Sequence, residues 1–140
     1  MGQDDDLHTI CSKNEINNFL EALTWRLDSP YFDPEKDLVV QRLKENDDVE
    51  FSNINTLISL GYGNFDIVNA LKELEVGDYS HSVRDIVDKE PPFLHVFGKI
   101  ISNRMIYIKL KMKEYPSKNV ICVSFHYARK ELSFPYTEMF

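Results

Sequence analysis

A chain of 140 residues with 43% hydrophobic content and a net charge of −7 is long enough to bury one good core and has an ordinary globular composition. No apolar run approaches a membrane span, and the two cysteines and four scattered histidines match neither a disulfide framework nor a zinc site. The first residues lack a basic region followed by an apolar core, so we expect one cytoplasmic domain without cofactor or metal.

Charge is unevenly distributed along the chain. Residues 1–50 hold thirteen acids and five bases, whereas residues 91–140 hold three acids and eight bases. We interpret residues 1–50 as an acidic helical extension and residues 51–140 as an α+β core, with helices packed on a C-terminal twisted antiparallel sheet. An anionic ligand remains possible, because the local potential of a basic face, rather than net charge, steers an anion.

The N-terminal region carries helical signals. Ser12 and Glu15 form a capping box, and apolar residues at helical spacing follow until Ser29–Pro30 ends the run. Trp25 lies within this helix and is expected to be a packing residue rather than a binding platform. Residues 37–43 are expected to form a short helix.

Two further helices are predicted before the sheet. Residues 53–60 form a short apolar helix that Gly61 ends, since glycine is a usual C-terminal signal. Asn64 is expected to cap the next helix, which carries an apolar stripe.

Two segments show no periodicity. Residues 78–92 are predicted as a long connection, which carries His81 and Arg84, and loops of this length are often functional. The segment after residue 128 is irregular, and Phe134–Tyr136 is expected to pin it onto the domain. Docking of a partner is the alternative interpretation of that segment.

Three strands are predicted at residues 94–101, 105–113 and 120–128, because apolar and polar residues alternate there. In the third strand the alternation places Cys122 and His126 on the polar face, but Cys122, in the middle of the strand, is expected to be a small core or near-core residue. A polar face that is almost entirely cationic looks like a place for an anion, and a solvated sheet face is the alternative interpretation. The polar face of the second strand consists of Tyr107, Lys109, Lys111 and Lys113.

The register follows from parity, since a one-residue slip inverts both faces of a strand. A six-residue loop between the last two strands pairs Tyr107 with His126. A three-residue turn at 102–104 then pairs Lys99 with Tyr107. We therefore expect Lys99, Tyr107 and His126 in one row across three strands. A two-residue slip would place Lys109 opposite His126 and keeps the same faces.

Taken in order, these segments resemble the MqsR family of bacterial type II toxins. The match runs from about residue 51 to residue 134, and the order and spacing of its pieces carry it rather than any single piece. The pieces are Thr56–Gly61, Leu74–Tyr79, Val96–Lys99, Tyr107–Leu110 and Val120–His126.

The resemblance implies an activity, a fold and a partner. It implies a ribosome-independent endoribonuclease that cuts mRNA at short sequence motifs. It implies a fold similar to the RelE group of ribonuclease toxins, with helices on a twisted antiparallel sheet. It also implies a cognate antitoxin protein that blocks the activity.

The resemblance carries over to individual positions. The family's sheet tyrosine matches Tyr107, and its lysine two residues later matches Lys109. Basic positions in the last strand and after the Asp-Tyr pair match His126 and His81, where the better-known members hold lysine. A site glutamine of the family has only non-matching counterparts here, Leu94 or His95.

RNA can be cleaved by its own 2′-hydroxyl, which needs a base, an acid and cations but no metal. We expect His126 and His81 to be the base–acid pair, in either order, because imidazole titrates near neutral pH. Lys99 and Lys109 would stabilise the charge of the transition state, and Tyr107 would bind phosphate or stack on a base. Further RNA-binding candidates are Arg84, His95 and Lys111.

Two other functions remain open from the sequence. The basic face could serve a non-catalytic module that binds RNA or an acidic protein segment, or it could be a solvated surface without a site. Catalysis should collapse when His126 is replaced by alanine, whereas simple binding should weaken gradually as lysines are removed.

Overall fold

A computed structural model describes residues 8–41 and 49–137 of the chain. The helices within these residues are α1 (Lys13–Asp28), α2 (Pro34–Asp37), α3 (Asn53–Leu60) and α4 (Asn64–Lys72). The strands are β1 (His8–Thr9), β2 (Leu38–Val40), β3 (Tyr79–Arg84), β4 (Phe93–Ile101), β5 (Arg104–Met112) and β6 (Val120–Tyr127). None of these helices is long and apolar enough to cross a membrane.

The predicted helix signals act as expected at α1 and α3. The Ser12 hydroxyl accepts the Glu15 N–H at 3.1 Å, and the Glu15 carboxylate accepts the Ser12 N–H at 2.9 Å. Gly61 ends α3 in the left-handed conformation, with φ of 71°, which other residues adopt only with strain. The cap of α4 was predicted one residue too late, because Gly63 precedes the helix and Asn64 is its first residue.

The six strands form one sheet in the order β1-β3-β4-β5-β6-β2. All neighbouring strands are antiparallel except β2 and β6, which are parallel. The architecture is therefore α+β with a mostly antiparallel sheet, as predicted. Both edge strands come from the first forty residues, whereas residues 1–7 and 42–48 of the predicted extension lie outside the described residues.

The core lies between the helices and one face of the sheet, which we call the inner face. Side chains of α1 and α4, among them Leu23 and Leu71, are fully buried against Phe97, Ile108 and Phe125. The opposite, outer face carries the side chains that alternate with these. On the central strands the outer face includes Val96, Gly98, Tyr107, Lys109 and His126.

The predicted register between β4 and β5 was wrong by one residue. Ser102 and Asn103 form a two-residue turn with φ of 52° and 69°, so Arg104 already pairs with Ile101. Two successive positive φ angles are typical of the type I′ hairpin, whose usual Asn-Gly signal is absent here. The one-residue shift turns Lys99 to the inner face, opposite Ile106.

The predicted register between β5 and β6 holds only near the centre. Tyr107 pairs with His126 as predicted, but an irregularity after Lys109 leaves Leu110 opposite Cys122. This bulge adds a residue to β6 and inverts its faces toward the loop. The Cys122 side chain is consequently fully buried in the core, as expected for a core residue, although alternation placed it on the polar face.

Three strands were missed, β1, β2 and β3. Residues 79–84 were predicted to lie in a connection but form β3, and residues 38–40 were predicted as helix but form β2. The buried polar residues of β3 are hydrogen-bonded to one another and to His95 on β4. The Ser82 hydroxyl lies 2.7 Å from the Tyr79 hydroxyl and 2.6 Å from His95 Nδ1.

Candidate functional site

The outer face brings three of the predicted site residues together. Tyr107 and His126 are directly paired on β5 and β6, and their rings stack with centroids 5.2 Å apart and planes 11° apart. The Lys109 ammonium lies 6.0 Å from the centroid of the Tyr107 ring. All three side chains are half-buried. We call Tyr107, Lys109 and His126 the tyrosine cluster.

The backbone fixes the orientation of the His126 ring. Its Nδ1 lies 2.9 Å from the Tyr127 carbonyl oxygen, which can only accept a hydrogen bond. Nδ1 therefore carries the proton, and Nε2 is the nitrogen that gains or loses a proton in a reaction. This arrangement suits a general acid or base on the outer face.

His81 lies on the same face at the other side of the sheet. It pairs with Val96, which pairs with Lys109, so His81 and Lys109 occupy one row two strands apart. Its ring stacks on His8 at 4.1 Å, and its Nδ1 lies 2.9 Å from the Ser80 hydroxyl. Burial, followed by the charges of His8 and Lys109, lowers the pKa of His81 to about 4. His81 is therefore neutral at pH 7.

The C-terminal segment crosses the outer face beside the tyrosine cluster. We call residues 128–137 the strap. A Cβ at Gly98, which lies opposite Tyr107, would lie 2.7 Å from the Leu132 side chain and 2.8 Å from the Phe134 side chain, so these side chains would have to shift. The strap is held at its end by Tyr136, as predicted, since its hydroxyl donates to the Cys11 carbonyl at 2.6 Å.

Lys99 and His95 do not join the cluster, because both lie on the inner face. The Lys99 ammonium lies 3.9 Å from a carboxylate oxygen of Glu73 on α4. His95 packs edge-on against Phe19, and burial lowers its pKa to about 4. The predicted row of Lys99, Tyr107 and His126 is therefore wrong, since Gly98 occupies the place expected for Lys99.

Lys111 and Arg84 are also placed away from the cluster. The Lys111 side chain is only 2% exposed, and its ammonium lies 2.6 Å from an Asp85 carboxylate oxygen. Arg84 lies at the end of β3, with its guanidinium 5.1 Å from the Phe93 ring centroid. Lys111 is enclosed by protein, whereas Arg84 is exposed and lies in the inner-face row with Phe93, so neither residue belongs to the tyrosine cluster.

Lys111 instead holds the loop between β3 and β4, residues 85–92. Its ammonium also donates to the carbonyls of Asp88 and Pro91, at 2.7 and 3.0 Å. Burial by itself raises the pKa of Asp85. The hydrogen bond from Lys111 and two backbone N–H donors lower it by more, so the net shift of the pKa is downward. Lys113 adds an ion pair to Asp88 at 2.7 Å. We call this assembly the lysine clamp.

Sequence reasoning missed His8 and the role of Gly98. The two-residue strand that places His8 on His81 has no periodic signal. Gly98 did carry a signal, because a glycine inside a strand often marks a close approach of other chain segments.

Comparison of this chain with protein-family models, curated proteins and solved structures finds no match. Over residues 8–41 and 49–137, no group of three or more His, Cys, Asp or Glu residues is arranged to hold a metal ion.

Proposed function

We propose that this protein is a metal-independent endoribonuclease that cleaves single-stranded mRNA, and that it is the toxin of a type II toxin–antitoxin pair with a RelE-like fold. The observation that carries the proposal is the tyrosine cluster, which groups an imidazole, an ammonium and a phenol on neighbouring positions of one sheet face. The resemblance to the MqsR family supports the same residues. The antitoxin is part of the proposal on that resemblance alone.

The reaction uses the RNA's own nucleophile. The 2′-oxygen loses its proton to a base and forms a bond to the adjacent phosphorus, while the bond from phosphorus to the 5′-oxygen breaks. An acid protonates that leaving oxygen. The products are a 2′,3′-cyclic phosphate and a 5′-hydroxyl end, and water takes no part in this step.

The lowered pKa of His81 indicates which histidine acts as the base and which as the acid. With a pKa of about 4, His81 is neutral at pH 7 and suits the role of base. His126 then protonates the leaving oxygen through Nε2. Three strand spacings place the backbones of β3 and β6 about 14 Å apart, so the scissile phosphate has to lie between the two side chains, over Lys109.

Lys109 and Tyr107 supply the remaining functions. The Lys109 ammonium neutralises the charge that develops on the phosphorane oxygens, and one such preorganised group is worth roughly 10²- to 10³-fold in rate. The Tyr107 hydroxyl donates to a phosphate oxygen or its ring stacks on a base, as aromatic side chains do in single-stranded RNA recognition.

A non-catalytic RNA-binding module is the second candidate. The separation of His81 from His126 favours it, because catalysis requires one phosphate to be within reach of both histidines. The two functions differ in residue dependence: a binding module loses affinity gradually with each cation removed, whereas an enzyme loses its rate with His126.

Controlled expression in a bacterial host, with RNA ends mapped after induction, tests the proposal. The chains to compare are the wild type, His126→Ala and the matched control Lys118→Ala, whose ammonium lies by the Tyr31 carbonyl away from the cluster. Growth arrest with new mRNA ends in the wild type and Lys118→Ala, but not in His126→Ala, supports the proposal. Arrest without new ends indicates toxicity by binding, and no arrest in any chain contradicts a toxin.

A further inference from the structure

A concave feature lies on the helical side of the molecule, away from the outer face. It is a groove of about 930 Å³ between α1 and the segment that follows α4. Its floor is apolar, formed by the buried side chains of Leu20 and Leu74 with Val76 and Tyr136. One wall is the exposed side of α1, which includes Glu21, Trp25 and Asp28, and the other is formed by residues 75–78.

The Trp25 side chain lines this groove and is exposed to solvent. It is 82% exposed, so the expectation that it is a packing residue was wrong. Trp25 is the single tryptophan of the chain. An exposed indole beside an apolar floor presents a large flat surface with a polar N–H, which is the kind of residue that dominates recognition surfaces.

The walls of the groove are acidic. Four carboxylates line it, and within the described residues no lysine, arginine or histidine does. Lys72 offsets one of these charges from outside the lining, through an ion pair with Asp28 at 2.9 Å. The Asp78 carboxylate accepts the Glu75 N–H at 2.9 Å and so stays directed along the wall. The lining acids are Glu21, Asp28, Glu75 and Asp78.

We propose that this groove binds a basic polypeptide segment through an arginine side chain. The guanidinium would stack on the Trp25 indole, an arrangement that favours arginine because its planar cation meets the negative face of the ring. Its N–H groups would donate to Glu21 or Glu75, and its aliphatic stem would cover Leu20 and Leu74. The charge of the walls excludes a nucleic acid as occupant. The inference is independent of the proposed ribonuclease.

Fluorescence of the wild-type chain reports directly on this groove, because Trp25 is the only indole. The probes are three capped nonapeptides, (Arg-Gly-Ser)₃, (Lys-Gly-Ser)₃ and (Glu-Gly-Ser)₃. We expect a saturable change with the arginine peptide, weaker binding of the lysine peptide by about five- to tenfold, and no binding of the acidic peptide. Absence of a saturable change with the arginine peptide overturns the proposal.

Calorimetric titration of variants separates the groove from general attraction to an acidic protein. Trp25→Ala should weaken the arginine peptide about tenfold, and Trp25→Phe should recover part of the loss. Glu21→Gln should weaken it several-fold, whereas Glu35→Gln, an equal change of charge on α2 outside the groove, should leave it unchanged. Equal weakening by both glutamines, or none by Trp25→Ala, overturns the proposal.

A second copy of the chain is the competing occupant, because the strap carries two exposed basic residues, Arg129 and Lys130. Sedimentation of the wild type decides between the two occupants. A monomer across the peptide-binding concentration range supports a separate basic partner. Self-association that Trp25→Ala abolishes overturns that assignment in favour of a dimer.

Discussion

Two lysines on β5 show how differently the two ends of the outer face are built. Lys109 and Lys111 are separated by one residue, and both were predicted to lie on one cationic strip. Lys109 is half-buried beside Tyr107, with its ammonium 6.0 Å from the ring. Lys111 is 2% exposed and paired with Asp85 at 2.6 Å.

The difference arises from the chain segments that meet each lysine. The loop at residues 85–92 brings Asp85, Asp88 and two carbonyl oxygens to Lys111. At the other end the strap leaves the tyrosine cluster half-buried rather than enclosed. A row of lysines therefore identifies a basic strand, but only the neighbouring loops decide which lysine can meet an external anion.

Removal of the lysine clamp is the strongest test of this difference between Lys109 and Lys111. Lys111→Met should lower the free energy of unfolding by about 3–5 kcal/mol, because it leaves the Asp85 carboxylate buried without its cation. Urea unfolding at pH 7 measures the loss. The matched control Lys113→Met, whose ammonium is more exposed, should cost less than about 1 kcal/mol.

The double variant Asp85→Leu/Lys111→Met tests the same account from the other side. Removing both charges should recover most of the stability that Lys111→Met loses, since a buried pair and its apolar replacement are often equivalent. If Lys111→Met is as stable as the wild type, Lys111 is not a structural cation.

The pH dependence of the free energy of unfolding extends the comparison to the histidines of the inner and outer faces. The pKa of His95 is about 4 in the folded chain and about 6.5 when exposed, so between these values only the unfolded chain binds the proton. The free energy of unfolding should fall by about 3 kcal/mol for His95 as the pH drops from 7 to 4, and level off below. Unfolding series across this range measure it.

His95→Gln provides the comparison for this pH dependence. The variant should be less stable than the wild type at pH 7, where it loses the bond to Ser82, but its stability should fall less steeply toward pH 4. His81, whose pKa is also lowered to about 4, contributes in the same direction and leaves part of the slope in the variant. Identical slopes for both chains would refute the buried neutral state of His95.

A smaller effect is expected at the strap. In Gly98→Ala the new methyl group would meet the ends of Leu132, Phe134 and Met105 at 2.7–2.9 Å, so the strap has to shift. Because these are ends of flexible side chains, we expect a loss of about 1 kcal/mol. Limited proteolysis should cut the variant sooner within residues 128–137, and an unchanged cleavage pattern would show that the strap does not depend on Gly98.

Much of the fold follows from local signals in the sequence. The capping box at Ser12 and the glycine stop at Gly61 each depend on residues within one turn, so α1 and α3 were predicted at the right places. Alternation found the three central strands for the same reason. Strand β3 escaped because its polar residues are satisfied by partners distant in sequence, such as the bond of Ser82 to His95.

The candidate site was predictable only in part. The pairing of Tyr107 with His126 follows from parity and was found. Lys99 was misplaced because one turn contains two residues rather than three, and that difference inverts a whole strand. Lys111 was misplaced because its partners come from a loop whose path has no periodic signal.

The most direct test of the central claim is RNA cleavage by three purified chains, the wild type, Lys109→Met and Asp85→Leu/Lys111→Met, with a single-stranded RNA that contains all four bases. The account predicts products with 2′,3′-cyclic phosphate ends from the wild type and the double variant, and a rate at least a hundredfold lower for Lys109→Met at unchanged stability. No such products from the folded wild type, or equal rates for the wild type and Lys109→Met, would contradict it.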